Sequence, residues 1–185
     1  MIKLPYAIVV ILLTYFIVAD AECNVEPVKD INLDMDKYLG TWCWVFHTPS
    51  DVDKNAGCIK EIAQKFNEST IVVPTAFYDE RTKQIKIFQG SIYSWNSTSF
   101  TETLNGWSAT YFVLAVDYSS YIVTSACLRN ELAPLTWIGF RTCVPDDHTI
   151  KEAMDALDAL DTSSGASNRL VKFNDCDYIQ NAMFP

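Results

Sequence analysis

Two histidines and six cysteines are the residues of this chain best suited to chemistry, and their spacing argues against catalysis. His47 and His148 stand far apart, and neither has partners at metal-ligand spacing. Covalent catalysis needs a nucleophile with a base in reach, and acid–base work needs a paired set of titratable groups. The sequence assembles neither, so we assign no catalytic residue and no metal ligand and read the chain as a binder rather than an enzyme. Cys23, Cys43, Cys58, Cys127, Cys143 and Cys176 form no Cys-x-x-Cys pair. An even number of such residues in a chain bound for an oxidising compartment reads as disulfides.

The N-terminus supplies that compartment. Lys3 precedes an apolar run over residues 7–18, and Ala19-Asp20-Ala21 follows as a small-x-small cleavage site. This is the pattern of a signal peptide spanning 1–21, which leaves residues 22–185 as one secreted domain. No later window is long and apolar enough for a membrane span, so the mature chain is expected to be soluble. A net charge of −9 repels phosphate backbones, which argues against nucleic acid as a partner. Asn67-Glu68-Ser69 and Asn96-Ser97-Thr98 are glycosylation sequons, as expected of a secreted glycoprotein.

The elements that must position any site are strands. From Gly40 to Arg141 the chain runs in short apolar or alternating stretches broken by turn residues. Strands are expected at 41–48, 58–65, 70–77, 84–93, 98–104, 108–116, 120–128 and 135–142. The Asn105-Gly106 pair is a strong hairpin cue, and connections this tight make consecutive strands antiparallel. Beyond them, Ile150, Ala153, Met154, Leu157 and Leu160 recur at helical spacing. They predict one amphipathic helix over 149–160, capped by Asp146 or Asp147 and ended at Ser163-Ser164-Gly165. The fold class is all-β: an eight-stranded antiparallel up-and-down barrel, whose closure removes both sheet edges, with one C-terminal amphipathic α-helix.

Three motifs then carry a family resemblance. Asn32-Leu33-Asp34-Met35-Asp36-Lys37-Tyr38-Leu39-Gly40-Thr41-Trp42 resembles the opening of a lipocalin, a turn of helix leading into Gly-x-Trp. Val116-Asp117-Tyr118 stands where lipocalins carry Thr-Asp-Tyr, with valine replacing threonine, and Arg141 closes the last strand. The likeness is to arthropod members such as bilin-binding protein, insecticyanin and crustacyanin, and to apolipoprotein D. It makes Gly40, Trp42, Asp117, Tyr118 and Arg141 the family's signature residues; a wide indole at Trp42 can plug the narrow end of the barrel with the planar Arg141 guanidinium stacked upon it, a role of those two in folding rather than in ligand chemistry. It also implies disulfides joining Cys23 with Cys127 and Cys58 with Cys176, leaving Cys43 and Cys143 to meet on neighbouring first and last strands. Some lipocalins are enzymes through an unpaired barrel cysteine, so the state of Cys43 matters.

The resemblance further implies a small apolar molecule in the cavity: a bilin, retinoid, carotenoid, sterol or fatty acid, carried as cargo with no cofactor required. Strand alternation places Trp44 and Phe46 on the inward side with Trp42, and Cys43, Val45 and His47 outward. Ile62, Phe77, Phe88, Tyr93, Phe112, Leu114, Tyr121 and Trp137 complete the expected wall. Tyr93, Tyr111 and Tyr121 are candidate polar handles, and His148 is expected in solvent. The alternative is a salivary-type lipocalin with a closed cavity that binds a protein through loops such as 49–57. A homo-oligomer or protein partner therefore stays open at this level.

Overall fold

The Asn-Gly cue marks a tight hairpin in the computed structural model, which describes residues 23–129, 131, 133–160 and 166–181. Asn105 and Gly106 have φ of 49° and 82°, as a two-residue turn matched to strand twist requires. The expected signal peptide and the Ser163-Ser164-Gly165 helix stop lie outside the described residues.

Eight strands follow in order: β1 Gly40–His47, β2 Ala56–Asn67, β3 Thr70–Asp79, β4 Gln84–Trp95, β5 Ser99–Leu104, β6 Trp107–Asp117, β7 Tyr121–Ala126 and β8 Leu135–Phe140. Each pairs antiparallel with the next. β1 pairs with both β2 and β8, which closes the barrel. Past Trp44 the edge of β1 leaves β2 and takes up a two-residue strand, β9 (Val171–Lys172), from the C-terminal segment. The helix is α2 (Asp147–Asp158); it starts earlier than its apolar period suggested because Asp146 Oδ1 accepts from the Thr149 amide at 2.8 Å. It buries Ala153 and Leu157 and packs against β6 and β7. A short α3 (Cys176–Gln180) follows.

One end of the barrel is sealed. Asp34 caps α1 (Met35–Tyr38), accepting from the Asp36 and Lys37 amides, and this turn delivers the chain to Gly40. Gly40 has φ of 102°, and a Cβ there would stand 3.3 Å from Arg141 Nη1. Trp42 is fully buried and donates its indole N–H to the Tyr38 carbonyl at 2.7 Å. The Arg141 guanidinium lies 3.7 Å from the Trp42 ring centroid. It donates to the backbone carbonyls of Lys37, Leu39, Thr41 and Tyr118 at 2.7–3.1 Å. The Tyr118 hydroxyl accepts from the Asp34 amide, and the Asp117 carboxylate accepts from Ser119 and Ser120. These contacts bind α1, the β6–β7 turn and the end of β8 into one floor.

The disulfides are Cys23–Cys127, Cys43–Cys143 and Cys58–Cys176. They tie the N-terminal segment to the end of β7, the first strand to the end of the last, and β2 to α3.

Candidate ligand-binding cavity

Inside the barrel and opening away from the Trp42 floor lies a cavity of about 780 Å³. Its wall is aromatic: Trp44, Phe77, Phe88 and Trp137 line it. Phe77 stacks on Phe88 with centroids 5.5 Å apart, and a second run links Phe100, Tyr111 and Trp137 at 5.5 and 5.8 Å. Tyr111, proposed as a handle, faces the cavity; Tyr93 and Tyr121 do not.

The other expected wall residues point elsewhere. The register of β1 slips between Trp44 and Phe46, and this bulge inverts the alternation. Phe46 turns outward and meets Phe140 edge-on at 6.2 Å. His47, expected outside, is buried instead: it lies flat on Phe173 with centroids 3.8 Å apart, its Nδ1 3.5 Å from Asp53. Ile62 opposes Thr41 on the outer face because its neighbour Glu61 pairs with inward Trp42. Tyr93 is half exposed and its hydroxyl meets Ser108 Oγ at 2.9 Å. Phe112 opposes Ser99 on the face opposite to Phe100 and Tyr111. Leu114 sits at a second slip, between Val113 and Ala115, and Tyr121 opposes outward Phe140 beneath the face that α2 covers. His148 is exposed, as expected.

At the mouth, the 49–57 loop folds over the rim. The Trp137 indole N–H donates to Asp53 Oδ2 at 3.1 Å, and Ser50 Oγ donates to the same carboxylate oxygen. Asp79, also at the mouth, is held down to about 2 by its hydrogen bond from Lys86 and those from the Thr82 and Arg81 amides.

Two charged side chains that we did not single out line the interior. Glu61 and Glu102 are buried, and each leaves a carboxylate oxygen without a hydrogen-bond donor among the described residues. Burial pushes Glu61 up to about 7 against the opposing pull of a hydrogen bond with the Trp44 side chain. Burial, and then the neighbouring Glu61 charge, holds Glu102 well above the usual carboxylate range. Burial raises Tyr38 and Tyr111 as well, with both carboxylates adding to the effect. A signal for Glu102 was present in the sequence: in Phe100-Thr101-Glu102-Thr103-Leu104 the acid shares its face with two apolar residues. Glu61 likewise alternates with Ile59 and Ala63.

No family profile and no curated protein sequence matches the chain. Solved structures do. The chain is similar to the major allergen Per a 4 from cockroaches, with 25% identity and a TM-score of 0.69 over 82% of this chain and 93% of that one. It is similar to insecticyanin from the tobacco hornworm Manduca sexta, with 15% identity and a TM-score of 0.67 over 83% of this chain and 86% of the other. It is similar to the amine binding protein of Rhodnius prolixus, solved as its tryptamine complex, with 16% identity and a TM-score of 0.61 over 88% and 97%. Together with the closed eight-stranded barrel and its Trp42–Arg141 floor, these likenesses establish that the chain has the lipocalin fold.

Proposed function

We propose that this protein is a secreted carrier that holds a small, mainly apolar organic molecule inside its barrel. The observation that carries this reading is the cavity itself: about 780 Å³, walled by aromatic rings, shut at one end and open at the other. A cargo that buries roughly 300 Å² of apolar surface gains about 7 kcal/mol at 25 cal/mol per Å². Losses of motion offset part of that gain, so dissociation constants of roughly ten to several hundred micromolar are expected from the apolar contact alone. Trp44, Phe77, Phe88 and Trp137 supply the wall, with Tyr111 as a polar handle. The open interior favours carriage over action through the loops alone. Cys43 is bonded to Cys143, so the barrel presents no free thiol there for covalent chemistry.

Secretion is supported by the three disulfides and the N-terminal signal pattern. The exposed Asn67, the last residue of β2, and Asn96, in the β4–β5 connection, lie at the sealed end. Glycans there would leave the mouth clear. The test is uptake of retinol by the purified, disulfide-bonded protein, followed by fluorescence, together with native mass spectrometry of protein from its natural source. Saturable binding of one molecule per barrel is expected; an interior that takes up neither retinol nor any copurifying molecule would overturn the reading.

A further inference from the structure

An exclusively apolar cargo would leave the two interior carboxyls bare. Glu61 and Glu102 are 5% and 7% exposed, yet Glu61 Oε2 and Glu102 Oε1 meet no donor, and no ion pair among the described residues includes either side chain. Thr124, fully buried and also lining the cavity, leaves its hydroxyl unpartnered too. Buried polar groups are ordinarily bonded, so unsatisfied ones on three residues that line one cavity point to a polar group that arrives with the occupant.

The backbone makes room for this arrangement. A Cβ at Gly90 would stand 3.1 Å from Glu102 Oε1 and 3.0 Å from the Val73 carbonyl, so glycine leaves the space in which the carboxyl lies. Cargo carboxylates would be repelled by this pair, whereas a cation answers both oxygens at once. Hard metal ions take six or more oxygens, and no cluster of three or more acidic, histidine or cysteine side chains suited to one occurs among the described residues. The surrounding rings instead suit an organic body, and their faces attract an ammonium group.

We propose that the cargo is an organic cation, an amine with an aromatic body whose ammonium group donates to the Glu61 and Glu102 carboxyls. This deepens the carrier reading and rests on it. Burial and mutual repulsion leave the empty pair holding a proton at neutral pH, with Tyr38 from α1, Tyr111 from β6 and Asp53 from the rim as the titratable neighbours. When the ammonium enters, that proton leaves to solvent and the carboxyl that held it becomes a carboxylate.

Three indoles of similar size and different charge test this by titration calorimetry at pH 7.5: tryptamine (cationic), tryptophol (neutral) and indole-3-acetate (anionic). Tryptamine should bind roughly tenfold or more tightly than tryptophol, the size of a charge-assisted hydrogen bond, with indole-3-acetate weakest. Buffers of different ionisation enthalpy should show proton release on tryptamine binding alone. Glu61→Gln and Glu102→Gln should each reduce the preference for tryptamine to about twofold or less, with tryptophol affinity and the near-ultraviolet circular dichroism preserved. The wild-type proton count serves where a variant fails to fold. Equal binding of tryptamine and tryptophol, a preference retained in both variants, or retinol uptake without indole binding would each overturn the cation while sparing the carrier. Failure of retinol and all three indoles would remove both readings.

Discussion

Replacing Glu61 with glutamine should stabilise the empty protein, and only above acidic pH. The Glu61 carboxyl is raised by burial from 4.5 to about 7, so the native state keeps a proton that the unfolded chain has released. A carboxyl shifted upward contributes stability that is complete below its unfolded value and lost as pH rises through the folded one. Holding that proton from about pH 4.5 to about pH 7 in the native state alone costs wild type about 3 kcal/mol by pH 8. Glutamine resembles the neutral acid in shape and can still accept the Trp44 hydrogen bond, so it escapes that cost. Urea melts of both proteins at pH 4, 5.5, 7 and 8 check this, with stabilities converging at pH 4 and the variant ahead by about 3 kcal/mol at pH 8. Hydrogen bonds hold the carboxyls of Asp34, Asp117 and Asp146 below the usual range, and they stabilise in the opposite sense, losing their contribution as pH falls. They are common to both proteins and cancel in the difference. A gain that is the same at every pH, or a variant weaker than wild type at pH 8, would refute the reasoning.

Arg141→Lys should cost about 2–4 kcal/mol in urea melts, because a single ammonium cannot reproduce five backbone hydrogen bonds and the stack on Trp42, while retinol affinity changes little. Asp53→Ala removes the acceptor for the Trp137 indole, at about 1–3 kcal/mol, and should raise amide hydrogen exchange over residues 49–57 without altering exchange in β3 and β4. The double substitution Asn67→Gln, Asn96→Gln should collapse a glycosylated species to the polypeptide mass and leave retinol affinity within about twofold, since both sites lie away from the mouth.

The barrel was legible because its determinants are local. Turn chemistry at Asn105-Gly106, alternation within each strand and a single run of helical period after Asp146 settle element type and order. The cysteines add long-range information: Cys43 and Cys143 can only meet if the first strand lies beside the last, which is the closure condition itself. Gly40, Trp42 and Arg141 meet at the floor, where a positive-φ glycine, a wide ring and a planar cation pack together.

Which side chains face the cavity was less legible, because inward and outward differ by one residue and a single bulge exchanges them. The slip after Trp44 reverses Phe46 and His47 although nothing in Trp44-Val45-Phe46 announces it, whereas on β6 the phase is already the other way at Phe112, ahead of the slip that leaves Leu114 out of the pairing. A deeper obstacle lies in the usual reading of charge. Acidic residues on strands are taken as solvent-facing, so a pattern rule discards Glu61 and Glu102 and keeps the bulkier rings beside them. Yet Glu102 alternates with Phe100 and Leu104, and an acid flanked on its own face by apolar residues is either a solvated exception or a ligand-facing group. Register decides between these, because only the pairing of Trp42 with Glu61 and of Glu102 with Ala109 brings both acids to the inner wall. The chemistry of the site is therefore a property of strands aligned against one another, and it emerges where local consistency is broken.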